Sequence, residues 1–195
     1  MQGHGIPIYT NVVYPYPKNP PFIPHDINSV GSYKRDFETP KNWDGKDVYL
    51  HFGGVSGAMY VYINGQYVGY SQGSKTPAEF NISSFLTEGK NLIALQLFRW
   101  SDASYLESQD MLRLSGIDRD VYLYATNKAT IKDYTVIADL DENYTNGKFS
   151  LDLKLANTGK KLKGYQVEVS LLDGATEVFS VNQNLDLSTG KTSVK

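Results

Sequence analysis

The chain contains no cysteine, only three histidines and three methionines, and no uninterrupted apolar run near the ~20 residues that span a bilayer. Without thiols there are no disulfides, thiolate metal centres or cysteine nucleophiles, although the compartment stays open because exported bacterial proteins can also lack cysteine. His4, His25 and His51 stand apart with no i, i+4 pair, so the pattern of a histidine zinc site is missing. Long blocks of one charge are missing too. Nineteen Lys and Arg mingle with 21 Asp and Glu for a net charge of −2, which offers no surface that tracks phosphates, so nucleic acid is not an expected partner. The opening "MQGHGIPIYTN" has neither the basic region nor the apolar stretch of a signal peptide, and no membrane partner is expected. The location expected is soluble, cytoplasmic or periplasmic.

Helical spacing is nearly absent as well, and an all-β pattern takes its place: short alternating runs divided by Gly, Asn, Asp and Pro. Most of the eight prolines lie between Gly5 and Pro24, which predicts an extended, irregular lead-in able to present Asn11 to a pocket. "VYLHF" reads as a strand, and "AMYVYINGQYVGY" as a hairpin whose Asn64-Gly65 pair suits a type I′ turn. "EFNISSFLTEGKN" predicts one helical turn from Ser83, capped by that serine and released at Gly89. "NLIALQLF", apolar on both faces, predicts a central strand, and "DVYLYAT" another. Near Lys128 the style shifts to half-buried alternation, as in "FSLDLKLAN" and "YQVEVSLLDG". That predicts four or five strands at immunoglobulin-like spacing, where about seven strands and ~100 residues are usual. A second domain cut short is the expectation.

Chemistry concentrates in "RWSDASYLESQDMLRLSG", Arg99 to Gly116, with three carboxylates and two arginines. A retaining glycosidase needs two carboxyl groups about 5–5.5 Å apart. Nothing in the spacing of Asp102, Glu107 and Asp110 makes two of them converge, and a network with Arg99, Arg113 and Arg119 is the plainer reading. A hard cation on oxygen fits Asp102 in kind, but one carboxylate does not specify a site. "GGVSG" lacks the Lys-Ser/Thr pair of a phosphate loop and reads as a turn between strands.

Taken in order, "PIYTNVVYPYPKNPPFIP", "GSYKRDFETPKNW" and the long run from "YVYINGQYVGYSQGSKTPAEF" through "LFRWSDASYLESQDMLRLSGIDRDVYL" resemble the N-terminal part of the glycoside hydrolase family 2 β-galactosidases of the bacterial lactose-cleaving type. The resemblance implies a jelly-roll sugar-binding domain over residues 1–127, then a truncated immunoglobulin-like β-sandwich over 128–195. It also implies that the catalytic glutamates sit on a downstream (β/α)₈ barrel, so no catalytic residue is expected here and this stretch alone is expected to be inactive. Asn11 in "YTNV" and Asp102 in "RWSD" are the residues expected to reach the galactosyl unit, with sodium at Asp102 and magnesium on the barrel. Arg99, Trp100, Glu107, Asp110 and Arg113 are expected to hold Asp102 in place. The implied substrate is a β-galactoside and the implied assembly a homo-oligomer. Alternatives are a β-glucuronidase or β-mannosidase of the same domain order, a stand-alone carbohydrate-binding module, and a purely structural or assembly role.

Overall fold

The computed structural model describes residues 8–10, 14–107 and 111–194. Its regular structure is almost wholly β, with four single-turn 3₁₀ helices and no α-helix among the described residues. Among the described residues, no helix is long and apolar enough to cross a membrane. Contacts divide the chain into two compact units at Ala125/Thr126.

The first unit holds strands β1 (Ile8–Thr10), β2 (Val30–Glu38), β3 (Asp47–Phe52), β4 (Val55–Ser56), β5 (Ala58–Ile63), β6 (Gln66–Gln72), β7 (Ala78–Asn81), β8 (Lys90–Phe98), β9 (Met111–Arg113), β10 (Gly116–Ile117) and β11 (Val121–Thr126). One sheet runs β2-β8-β5-β6 and another β11-β3-β7, while β1 pairs with β9 and β4 with β10. The alternation of β3 points Val48, Leu50 and Phe52 inward to meet Met59, Val61 and Ile63 of β5 and Leu95 and Leu97 of β8. Two sheets sharing one apolar interior make this a β-sandwich. β8 lies between β2 and β5, the central place expected for "NLIALQLF".

The hairpin of β5 and β6 turns on Asn64 and Gly65, whose φ values of 51° and 79° are those of a type I′ turn. Farther along, the register slips between Val61 and Tyr62: Val61 faces Gly69 while Tyr62 faces Tyr67. That bulge allows Tyr67 and Tyr70, three residues apart, to face Tyr62 and Tyr60 on one side of the sheet.

The turn at Ser83 needs a correction. A 3₁₀ helix covers Ser83–Phe85, but Ile82 is its N-cap and no side chain caps it. The Ser83 hydroxyl instead accepts the Val48 N–H at 2.8 Å and donates to Asn81 Oδ1 at 2.7 Å, while Asn81 Oδ1 also accepts the Ser83 N–H. A buried strand amide at the start of β3 outweighs a local cap because it has no water to fall back on.

The second unit has β12 (Ala129–Leu140), β13 (Gly147–Asn157), β14 (Leu162–Asp173), β15 (Thr176–Leu187) and β16 (Gly190–Val194), five strands as expected. They form a three-stranded sheet, β12-β13-β16, and a two-stranded one, β14-β15. Its buried apolar set is small: Leu153, Leu155 and Leu187. Asn157, also buried, donates to the carbonyls of Lys160 and Leu187 at 2.9 and 3.2 Å, which ties the two sheets together.

Candidate functional site

The central strand β8 ends at Phe98 and delivers Arg99 to the end of the sandwich, where the Arg99 N–H donates to Ser29 O at 3.0 Å. Trp100 is 7 % exposed, and the Asn28 side-chain amide brackets its backbone, accepting the Trp100 N–H at 2.9 Å and donating to Trp100 O at 3.0 Å. The Arg99 guanidinium lies 5.1 Å from the centre of the Trp100 indole, a cation–π distance. Next, the Ser101 N–H donates to Ser104 Oγ at 3.0 Å and a single 3₁₀ turn forms over Asp102–Tyr105.

Asp102 is thereby lifted to the surface at the start of this turn. It is exposed, and its Oδ1 accepts the Ala103 N–H at 3.0 Å. The turn beneath it is anchored by aromatic rings. Tyr16, 6 % exposed, meets Trp100 edge-on at 5.3 Å and Tyr105 at 5.6 Å, while Tyr14 lies 5.2 Å from Tyr105. Tyr105 Oη donates to Phe22 O at 2.7 Å and accepts the Asn19 N–H at 3.1 Å. The Tyr16 phenol is pushed above its ordinary pKa, chiefly by burial and then by the neighbouring Tyr105 hydroxyl.

Glu107 anchors the far end of the loop. Its Oε1 accepts the Ser74 N–H at 2.7 Å and its Oε2 the Ser74 hydroxyl at 2.8 Å, while Ser74 Oγ accepts the Gly57 N–H at 2.9 Å. Gly57 has φ +95°, and a Cβ there would lie 2.1 Å from Phe98 O, so this backbone crossing requires glycine. Beside it, Lys75 takes a left-handed φ of 71° and its ammonium pairs with Asp118 and bonds Ser56 Oγ at 3.0 Å.

Among the residues expected at the site, Arg99, Trp100, Asp102 and Glu107 therefore belong to one loop. Arg113 lies on β9, opposite Ile8 of β1, and its positive charge acts on the Tyr16 phenol. Asn11 and Asp110 lie outside the described residues. Their neighbours are nonetheless tied to the same loop: Thr10 faces Met111 in the β1–β9 pair, and Tyr14 and Tyr16 pack on Trp100 and Tyr105. The bonds of Glu107 to Ser74 were not readable in the sequence, nor was the bracket formed by Asn28, since each joins residues 33 or 72 positions apart.

No group of three or more His, Asp or Glu side chains gathers among the described residues. Asp102 offers an exposed carboxylate oxygen, which suits a hard cation in kind and would be one of the several ligands such an ion takes.

Residues 1–127 match the family model described as glycosyl hydrolases family 2, sugar binding domain. A β-galactosidase of Priestia megaterium is 46 % identical across 98 % of this chain and 19 % of its own length. One of Vibrio cholerae is 40 % identical across 95 % of the chain and 18 % of its own length. The chain thus spans about a fifth of these relatives. Among solved structures, a calcium-binding mutant of Bacteroides uniformis β-glucuronidase 2 superposes with a TM-score of 0.75 over 95 % of this chain and 23 % of its own, at 21 % identity. A β-D-mannosidase of Dictyoglomus thermophilum gives 0.61 over 84 % of this chain and 23 % of its own, at 20 % identity. At that identity the likeness speaks for the fold alone. On the match over residues 1–127, together with these β-galactosidase relatives, the chain belongs to glycoside hydrolase family 2 and carries that family's sugar-binding domain.

Proposed function

We propose that residues 1–127 form the substrate rim of a retaining β-galactosidase, whose acid/base and nucleophile glutamates lie on a (β/α)₈ barrel in another part of a longer polypeptide. The observation that carries this reading is the placing of Asp102: an exposed carboxylate on a one-turn helix, held from below by Trp100, Tyr16 and Tyr105. A carboxylate accepts hydrogen bonds from sugar hydroxyls and ligates hard cations, so Asp102 would hold the galactosyl 6-hydroxyl directly and through sodium. Asn11, with an amide that both donates and accepts, would contact other hydroxyls. When bound, sodium supplies a fixed positive charge for hydroxyl oxygens. The residues of this chain orient Asp102 and exclude water from the anchoring side of its loop. Magnesium belongs to the barrel in this reading. The substrate is a β-galactoside, and the longer protein is a homo-oligomer outside the membrane.

β-Galactosidases are the relatives at 40–46 % identity, which favours that activity. Structural likeness to a β-glucuronidase and a β-mannosidase keeps those sugars as the second reading. The test is Asp102→Ala in a full-length β-galactosidase that has this chain as its N-terminal fifth. Loss of a charge-assisted hydrogen bond, about 1.5–3 kcal/mol, should lower kcat/KM for a nitrophenyl β-galactoside roughly 10- to 150-fold. The response to added sodium should weaken in parallel. Unchanged kinetics with an unchanged sodium response would reject the role of Asp102.

A further inference from the structure

The lead-in to β2 is held without strand pairing over most of its length. Between Tyr14 and Pro24 five prolines remove backbone donors, and the residues from Tyr14 to Ser29 form no strand. Tyr105, the last residue of the one-turn helix that Asp102 begins, grips this segment with three of its groups. Its carbonyl accepts the Tyr14 hydroxyl, and its ring packs on Tyr14 and, edge-on, on Tyr16. Its own hydroxyl donates to Phe22 O at 2.7 Å and accepts the Asn19 N–H at 3.1 Å. Asn19 to Phe22 is a turn closed by the Phe22 N–H on Asn19 O at 2.8 Å, so the phenol takes the Asn19 N–H and the Phe22 carbonyl that this bond leaves open.

This hydroxyl clasp differs from the other supports of the Asp102 turn. Trp100 and Tyr16 are buried and act by packing, so truncating either opens an interior. The Tyr105 clasp lies at the surface, where water replaces a lost partner and the energetic cost of losing it stays small. Its effect is geometric. It ties together positions 83 and 86 residues apart in the chain and fixes the end of a helix only four residues long. On the other side of Asn11 in the chain the lead-in joins the same loop again, where Thr10 faces Met111 in the β1–β9 pair. Both attachments that bracket Asn11 in the sequence are thus made to the loop that carries Asp102.

We propose that Tyr105 is a positioning residue for substrate recognition: without touching the sugar, its hydroxyl fixes the Asp102 turn against the lead-in and so sets the preference for a galactosyl unit that carries a 6-hydroxyl. The inference rests on the reading of Asp102 as the residue that holds this hydroxyl. A carboxylate selects for one hydroxyl only while its oxygens stay within about 0.5 Å of their place, and a four-residue turn released at its far end does not keep them there.

The experiment measures kcat/KM for a nitrophenyl β-galactoside and for its 6-deoxy analogue in a full-length β-galactosidase carrying this chain, as the parent, Asp102→Ala, Tyr105→Phe and the double variant. The ratio of the two values reports recognition of the 6-hydroxyl and does not depend on how much of the enzyme is folded. Asp102→Ala should lower the ratio about 10-fold or more, and Tyr105→Phe about 3-fold or more. The double variant should match Asp102→Ala, because Tyr105 acts through Asp102. Amide exchange at Asn19 should quicken in Tyr105→Phe, which keeps the ring and removes the acceptor of that N–H. A parental ratio in Tyr105→Phe beside a lowered one in Asp102→Ala overturns the positioning role and leaves the role of Asp102 standing. A parental ratio in Asp102→Ala overturns the reading of Asp102 and this inference with it. Effects that multiply in the double variant place the action of Tyr105 elsewhere and also overturn the proposal, as does unchanged exchange at Asn19.

Discussion

The two units solve the same problem, covering the inner faces of β-sheets, to very different degrees. In the first, Phe52, Val61, Ile63 and Ile82 are wholly buried in an interior fed by both sheets. In the second, among the described residues, only Leu153, Leu155 and Leu187 are buried as apolar residues, while Ile131, Val136, Ile137, Val178 and Val181 remain exposed. Phe149, Leu151, Val167, Val169, Phe179 and Val181 line a cleft between the strands, not a filled core. The difference teaches that alternation alone makes strands but not an interior. Each inward residue must also find an opposing sheet at about 10 Å, and β14-β15 alone is a narrow lid for β12-β13-β16.

The sharpest way to break this contrast is to open each interior in turn. Phe52→Ala should destabilise the first unit by about 3–5 kcal/mol, whereas Leu153→Ala should cost the second about 2 kcal/mol, because surroundings that are already loose collapse more readily onto the gap. Denaturant melts followed by hydrogen exchange on β3 and β13 would measure both, and equal losses would contradict the contrast. Gly57→Ala should cost about 3 kcal/mol or more, since φ +95° and the Phe98 carbonyl both oppose a side chain. Ser74→Ala comes next at about 1–3 kcal/mol, because it removes a donor to Glu107 and leaves the Gly57 N–H without its acceptor.

Titration gives each unit a test of its own. In the first, burial and the hydrogen bond to Glu79 push the Tyr124 phenol up to about 12. A raised folded pKa means a contribution that is complete below the ordinary value of 10.0 and lost as pH rises toward about 12, and Tyr124→Phe should remove that alkaline loss. In the second, the Thr145 backbone N–H and the Asn146 side chain hold the Asp141 carboxyl below its ordinary pKa. Its contribution to the β12–β13 turn is present above the ordinary 3.8 and fades as pH falls through the lower folded value. Acid should therefore speed hydrogen opening at Asp141–Asn146 in the native chain more than in Asp141→Asn, the smallest of these effects.

Local chemistry was legible in the sequence. Asn64-Gly65 names its own turn, the apolar run of β8 names a central strand, and the alternation after Lys128 names strands of a second style. What could not be read are the long-range choices. Ser83 gives its hydroxyl to Val48 rather than to a cap because the start of β3 lies beside it in space. Glu107 looks like a partner for arginine in a charged loop, yet it grips Ser74, which the close approach of Gly57 to Phe98 brings within reach. The bulge at Val61/Tyr62, which decides where two tyrosines point, has no signature of its own.

The most direct measurement compares one exposed aspartate from each unit in a full-length β-galactosidase carrying this chain: Asp102→Asn in the first and Asp139→Asn in the second, each read as kcat/KM for a nitrophenyl β-galactoside. Both variants keep the side-chain shape and remove a charge. The expected result is a fall of roughly tenfold or more for Asp102→Asn, with Asp139→Asn within about twofold of the parent. Equal values for the two variants, or an Asp102→Asn enzyme as active as the parent, would contradict the assignment of substrate contact to the first unit.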